Sequence, residues 1–282
     1  MGRGAAAGVQ EEGGTDEDQR VTASEATGTG RALLEAGSPV AGSMSRAAAT
    51  VVFEPSAAAV QVDERFAACL RAVAGEAASL AVPRERVRAG AALAFAVEYA
   101  ATLSRADRSV RSDAWFTPRP GNRSIAEEVT ESVVAAARRS TDERRVRHLG
   151  YLVAEAAVSP DLDADLVARA LRLAGSLSWR QLALLAGVGR RGRVPLPMAP
   201  LEDDPRAWSA WAAREDVTDL QRAGLLDPPA LNPRPGSVLP RLRMADLRLT
   251  RSSVLVHRLL VLDLLHDDAV TAGLADLGLP RS

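Results

Sequence analysis

The chain has 282 residues, of which 47% are hydrophobic and 25% charged, with a formal net charge of −1 and one cysteine. A chain of this size buries roughly 75% of its unfolded surface on folding. The composition therefore excludes a wholly disordered polymer, a disulfide scaffold and a collagen-like fibre. The charge gives no overall electrostatic reason to bind nucleic acid or an anionic membrane. No run of about 18 apolar residues occurs, so we expect no membrane-spanning helix.

The amino-terminal part is acidic and has almost no large apolar side chains. Such a segment cannot bury enough surface to offset an ordering cost of roughly 1–2 kcal/mol per residue. We therefore predict a disordered acidic tail over residues 1–30 and a poorly structured linker over 31–61. The lack of an apolar secretory signal, together with a single cysteine that cannot form an internal disulfide, favours a cytoplasmic location.

From residue 62 onward the apolar positions recur at a helical period. A first helix is predicted to begin after Asp63. Pro83 suits the first turn of a second helix, which extends to about Arg105 and is apolar almost all round. A helix of that kind is normally buried centrally in a bundle, where its alanine and glycine residues permit close helix–helix approach.

Further helices are indicated by capping signals along the chain. Ser124 with Glu127, and Ser140 with Glu143, have the spacing of capping boxes. Another helix is predicted from about Asp163, and a last one over WRQLALLAGV, where the preceding serine provides the cap. Short helices joined by brief connections are typical of a bundle, so we predict a mainly all-α fold with a helical bundle over residues 62–190.

Residues 191–282 change character and are predicted to form a small C-terminal unit. A proline-rich link precedes a helix that contains Trp208 and Trp211. A long irregular loop and a possible short strand in LRMADLRLT follow. The order helix, loop, strand, helix leaves two alternatives open, a plain helical unit or a winged-helix-like unit, and the latter type serves both DNA binding and protein contact.

The last predicted helix is continuous over RSSVLVHRLLVLDLLHD, capped by Thr250, and it has almost no polar face. A helix this apolar belongs in a core or in a contact between subunits. Leu255, Leu259 and Leu262 are therefore candidate self-association residues.

No motif in the sequence predicts a catalytic, cofactor or metal site. Gly187, Gly189 and Gly192 spell G-x-G-x-x-G, but a helix precedes them and prolines follow, whereas a dinucleotide fingerprint needs a strand before and a helix after. His257 and His266 lie roughly 13–14 Å apart on one predicted helix, too far to share an ion.

Three more patterns favour ordinary structural roles. Asp161, Asp163 and Asp165 lack the glycine and glutamate that a calcium loop requires. Cys69 falls on an apolar helix face, as expected for an inert thiol. The three-residue spacing of Arg105, Arg108 and Arg111 indicates ion pairing with neighbouring aspartates on the surface.

Arg190, Arg191 and Arg193 are predicted to lie on an exposed loop, where they could contact an anion or nucleic acid. The preceding helix is similar to the first helix of a DNA-binding helix-turn-helix motif. However, Gly192, Pro195 and Pro197 leave no room after it for a recognition helix.

A recurrent helical pattern extends over residues 124–187. The residues that carry it are Asp142, Glu143, Leu149, Leu152, Ala154, Leu177, Ser178, Arg180, Gln181 and Leu182. This pattern resembles a helical arrangement found in bacterial proteins of the Abi-alpha sort, which are associated with phage abortive infection. The resemblance implies a bacterial accessory or defence-linked protein and carries no catalytic residues. Glu155 departs from the pattern, which has an amide or a small polar residue at that place.

The sequence therefore predicts a non-catalytic protein without cofactors that acts through protein–protein contact, with a second copy of itself as the leading partner. The alternative is a DNA-binding transcriptional regulator that uses the C-terminal unit. A third hypothesis is an enzyme whose active site is formed by dispersed arginines and carboxylates in a cleft of the bundle.

Overall fold

The computed structural model describes residues 62–193, 196, 208–228 and 243–275. The predicted tail over 1–30 and the predicted linker over 31–61 lie outside these residues. The described chain is mainly α-helical, as predicted, and its only sheet is one pair of two-residue strands. None of the described helices is both long and apolar enough to cross a membrane.

Nine α-helices and two strands make up the described part of the chain. The elements are α1 (Glu64–Ala78), α2 (Pro83–Arg105), α3 (Ile125–Arg139), α4 (Arg144–Ala157), α5 (Ala164–Ser176), α6 (Trp179–Gly189), α7 (Trp208–Arg222), β1 (Leu226–Asp227), β2 (Arg248–Leu249), α8 (Arg251–Leu259) and α9 (Asp267–Ala275). Short 3-10 turns occur at Ala114–Phe116, Met244–Asp246 and Leu262–Leu264.

Side-chain caps set several of the helix starts. Ser124 and Ser178 form complete capping boxes at the starts of α3 and α6, which confirms the predicted box at Ser124 and the predicted cap at Ser178. The predicted box at Ser140 is wrong. Its hydroxyl donates to the carbonyl oxygen of Asp142 at 2.7 Å, and α4 begins after Glu143 without a side-chain cap.

Helix α2 lies at the centre of the bundle, as its apolar sequence predicted, and packs against α4 more extensively than any other pair of described helices. Gly150 of α4 makes this approach possible. A Cβ atom at that position would lie 2.4 Å from the carbonyl oxygen of Ala92 and 2.8 Å from the Cβ of Phe95. The absence of a side chain therefore fixes the spacing between the two helices.

The C-terminal unit places an antiparallel strand pair between two helices. Leu226 pairs with Leu249 and Asp227 with Arg248, so the end of α7 is held beside the start of α8. Thr250 caps α8 as predicted.

The predicted continuous final helix is wrong. Helix α8 ends at Leu259, and Val261 adopts a left-handed conformation with φ 50° and ψ 49° before the 3-10 turn begins. That conformation costs a β-branched residue roughly 1–2 kcal/mol. The break turns the chain so that Leu259 and Leu262 are both completely buried.

Buried side chains on both sides of residue 190 belong to one hydrophobic core, which extends from Phe66 of α1 to Leu274 of α9. A buried polar contact also joins the two parts. The His148 Nδ1–H donates to the carbonyl oxygen of Leu260 at 2.8 Å.

Candidate functional site

An open groove with a volume of about 710 Å³ lies between α3 and α5. The two helices run in the same direction along it. Arg145, in the first turn of α4 and just beyond the end of α3, donates to the carbonyl oxygens of Ala174 at 2.8 Å and Gly175 at 3.1 Å at the end of α5. The carboxyl ends of both helices therefore meet at one end of the groove.

The walls of the groove are helix faces whose residues recur at three- to four-residue spacing, the spacing by which a helix presents one face, and six of the fourteen residues are Ala, Ser or Gly. On α3 they are Ile125, Glu128, Val129, Ser132, Ala135, Ala136 and Arg139. On α5 they are Ala164, Asp165, Val167, Ala168, Leu171, Arg172 and Gly175.

Charges of opposite sign mark the two ends of the groove. Glu128 and Asp165 lie near the amino ends of the helices, whereas Arg139 and Arg172 lie three and two turns further along. All four side chains belong to exposed residues. Arg145 adds a third guanidinium at the basic end, and burial lowers its pKa.

The charged groups of the groove differ in their partners. Glu128 forms an ion pair with Arg119, and both side chains are about half exposed. Among the described residues, Arg139, Arg172 and Asp165 form no ion pair across the groove. Between its acidic end and its basic end, the groove is thus lined by small and apolar side chains.

A second concentration of charge surrounds Glu155 of α4, whose side chain is only 5% exposed. Arg108 donates to both carboxylate oxygens at 2.9 Å, a bidentate arrangement that makes a strong charge-assisted contact. Ser159 donates at 3.3 Å and Tyr99 at 3.4 Å. Burial, followed by the charge of Glu155, raises the pKa of Tyr99.

Arg258 of α8 joins this cluster from the C-terminal unit. Its Nε lies 3.6 Å from a carboxylate oxygen of Glu155, and its guanidinium donates to Asp161 and to Ser159 at 2.9 and 2.8 Å. The hydrogen bond from Arg258 lowers the pKa of Asp161. Because donors and acceptors are directed at one another, we interpret the Glu155 cluster as a clasp between α2, α4 and α8.

The predicted surface pairing of Arg108 and Arg111 is wrong, because both side chains reach across the fold. Arg111 is buried and donates to the carbonyl oxygens of Ser159 at 3.1 Å and Leu162 at 2.8 Å. It also pairs with Asp113, one of the two neighbouring aspartates, Asp107 and Asp113, that were expected as partners. Its guanidinium lies 4.2 Å from the ring centre of Trp115.

The predicted anion-contact residues lie at the end of α6, and their environments differ. Arg190 is buried and donates to the carbonyl oxygens of Leu262, Asp263 and Leu265, which gives it a structural role at the turn after α8. Arg191 donates to the carbonyl oxygen of Leu247 at 3.1 Å.

Arg193 is exposed and pairs with Asp263 at 2.9 Å. The structure therefore does not bring the three guanidinium groups together on one open surface. Of the three, Arg193 alone has a largely exposed side chain with an exposed carboxylate as its partner.

The predicted self-association leucines are covered within their own chain. Leu259 and Leu262 are completely buried, and Leu255 is partly buried against the core. Because α8 ends before Leu262, the three leucines do not form a continuous helical stripe. This face of the described chain is part of the hydrophobic core, which is a correction to the expectation of an apolar contact surface there.

The residues considered for chemistry remain dispersed. Nothing among the described residues forms a group of three or more His, Cys, Asp or Glu side chains that could hold a metal ion. Burial raises the pKa of the Cys69 thiol to about 11. Gly189 lies against the imidazole of His257, with 2.4 Å between a Cβ built on the glycine and Nε2, so this glycine serves packing at the end of α6.

Sequence reasoning missed the groove and the role of Glu155. A signal for the groove existed, because small residues recur at helical spacing on α3 and α5. A signal for Glu155 existed too, since a glutamate in an otherwise apolar stretch departs from the resembled pattern. Neither signal identifies the residue that is contacted. For Glu155 that residue is Arg108, which is 47 residues away in the sequence.

Comparisons with known proteins give no match for this chain. No protein-family model matches it. Neither a curated protein nor a solved structure matches it significantly. The resemblance to Abi-alpha proteins therefore stays a prediction.

Proposed function

We propose that the chain acts without catalysis, through protein–protein contact, and that the groove between α3 and α5 is its binding surface. The observation that carries this proposal is a partly exposed helical stripe on each wall, with small residues near its middle at Ser132, Ala135, Ala136 and Ala168. A stripe repeated once per turn is the pattern by which one helix packs against another. Here it faces an open volume of about 710 Å³.

The dimensions and chemistry of the groove walls favour a helical surface as the bound element. The α3 wall extends over fifteen residues, or about 22 Å. Helices pack against one another through side chains spaced three to four residues apart. Small side chains such as Ser132, Ala136 and Ala168 permit close approach of the bound backbone.

The distribution of ionisable groups supports contact in preference to catalysis. Glu155 is held by hydrogen bonds from Arg108 and by an ion pair with Arg258, and Arg190 is held by backbone carbonyls. The charged groups at the groove lie at its two ends, where they can select and orient a partner.

Site-specific photo-crosslinking in living cells tests the proposal. A photoreactive amino acid at Ser132, inside the groove, is expected to give covalent protein adducts. The same residue at Val254, which is also helical and 53% exposed but does not line the groove, is the matched control. Adding Ala168→Trp, which fills the groove, should abolish the Ser132 adducts. Equal adducts from Ser132 and Val254, or none from Ser132, would overturn the proposal.

A further inference from the structure

We infer that the partner in the α3–α5 groove is a second copy of this chain, bound in antiparallel orientation about a two-fold axis. The inference rests on the proposed function of the groove and adds the identity of the bound protein. What carries it is the arrangement of charges, which is self-complementary when the groove is turned end over end.

On α3, Glu128 and Arg139 are eleven residues apart, which corresponds to about 16 Å on one face of the helix. The midpoint between them falls among Ser132, Ala135 and Ala136. The smallest side chains of the wall therefore lie at the centre of the charge pattern, where two symmetric helices would cross closest.

The α5 wall repeats the pattern over a shorter length. Asp165 and Arg172 are seven residues apart, or about 10 Å, and the midpoint falls beside Ala168. Both walls therefore have an acid at the amino end, an alanine or serine in the middle and an arginine at the carboxyl end.

A two-fold axis perpendicular to the helices and through these midpoints pairs the walls correctly. It places Glu128 of one copy opposite Arg139 of the other, and Asp165 opposite Arg172, with each contact made twice. This is the reciprocity that an isologous interface requires. The two α3 helices and the two α5 helices then form an antiparallel four-helix arrangement.

Other partners fit the same charges less well. A uniformly acidic helix would place like charges against Glu128 and Asp165, and a uniformly basic helix against Arg139 and Arg172. A second copy supplies both signs in the required order. The ion pair of Glu128 with Arg119 does not prevent this, because a pair that is about half exposed adds little stability and can exchange partners.

The size of the surface predicts a weak dimer. A patch about 20 Å long and two helices wide covers roughly 400 Å² on each copy, about half of the roughly 800 Å² per partner in a standard stable interface. We therefore expect self-association that depends on protein concentration and on salt, because exposed charges contribute to it.

Reversing the charges at each end in separate variants tests the inference. One variant carries Glu128→Arg and Asp165→Arg, so that all charges of the groove are basic. The other carries Arg139→Glu and Arg172→Glu, so that all charges of the groove except Arg145 are acidic. Each variant alone is expected to self-associate at least tenfold more weakly than the unmodified full chain, as measured by sedimentation velocity over a concentration series.

An equimolar mixture of the two variants is expected to associate as heterodimers, since each acidic end then meets a basic end. Circular dichroism of each variant alone verifies its fold. An unmodified chain that stays monomeric throughout the series, or a mixture that associates no better than its components, would overturn the inference.

The photo-crosslinking experiment separates this failure from failure of the proposed function. Ser132 adducts at twice the chain mass support the second copy. Ser132 adducts only with a protein of different mass overturn the dimer while the contact function stands. If Ser132 gives no adducts while the unmodified chain is monomeric, both are overturned.

Discussion

Two rows of small side chains in this molecule have opposite surroundings. Between α2 and α4, alanines and Gly150 let the backbones touch, and the contact lies in the core. Between α3 and α5, alanines and Gly175 border an open groove, and a Cβ atom at Gly175 would meet nothing within 4 Å. Small residues therefore permit close packing, but the positions of the neighbouring helices decide whether that packing occurs within one chain.

The charged groups of the two regions differ in the same way. In the core region, Glu155 accepts hydrogen bonds from Arg108 and Ser159, in the loops after α2 and α4, and forms an ion pair with Arg258 of α8. In the groove, charges of both signs lie at the surface, at opposite ends. A satisfied cluster joins parts of one chain, whereas exposed and ordered charges can orient a second one.

The largest expected effect comes from adding a single methyl group at the α2–α4 contact. Gly150→Ala should destabilise the fold by about 3 kcal/mol, because the added atom meets a backbone carbonyl that cannot move without shifting α2. Gly175→Ala is the matched control in the open region. It should be neutral or stabilise by up to about 1 kcal/mol, since alanine favours a helix over glycine. Chemical denaturation of the two variants measures both effects, and equal losses would show that the two rows do not differ.

A comparable effect is expected from acid, through His148 in the core region. Burial lowers the pKa of His148 to about 4, and the nearby Arg147 also lowers it, while the hydrogen bond to Leu260 acts in the opposite direction. Between the unfolded pKa near 6.5 and pH 4, the unfolded chain binds a proton that the folded chain does not. Stability should therefore fall by about 3 kcal/mol as the pH drops through this window.

His148→Gln identifies the source of this pH dependence. The amide of glutamine can still donate to Leu260 but does not titrate, so the dependence of unfolding free energy on pH should become flatter. Burial also lowers the pKa of His257, which leaves a residual slope of the same sign. An unchanged slope in the variant would contradict the assignment to His148.

A smaller effect is expected from Glu155→Gln, which keeps the shape of the side chain and removes its charge. Loss of the charge-assisted contacts to Arg108 and Arg258 should cost about 2 kcal/mol, less than for a fully buried pair because both guanidinium groups are 39% exposed and can be hydrated. Asp263→Asn, which disrupts an exposed pair with Arg193, is the control and should cost less than about 0.5 kcal/mol. Equal thermal shifts of the two variants would count against the clasp.

Local features of the fold could be predicted from the sequence because their causes are local. The caps at Ser124 and Thr250 depend on residues within one helical turn. The central position of α2 follows from its own composition. The break at Val261 could not be predicted in this way, because the carbonyl oxygens of that turn are held by Arg190, more than 70 residues earlier in the chain.

The candidate site shows the same limit. The sequence contains the small residues and the charges of both groove walls. They form one surface only because α3 and α5 lie side by side in the fold. The three-residue spacing of Arg108 and Arg111 favoured local pairing, whereas Arg108 binds Glu155 on another helix. The spacing of residues along a helix shows which of them share a face, but it does not show which part of the molecule that face contacts.

The most direct test of the groove as a contact surface is the rate at which a thiol reagent modifies Ser132→Cys. The native Cys69 should contribute little, because it is buried and its pKa is raised to about 11. The thiol at position 132 is expected to react rapidly in dilute solution. It should become progressively protected as the protein concentration rises and a second copy covers the groove. A rate that is the same at every protein concentration, or slow even in dilute solution, would contradict this expectation.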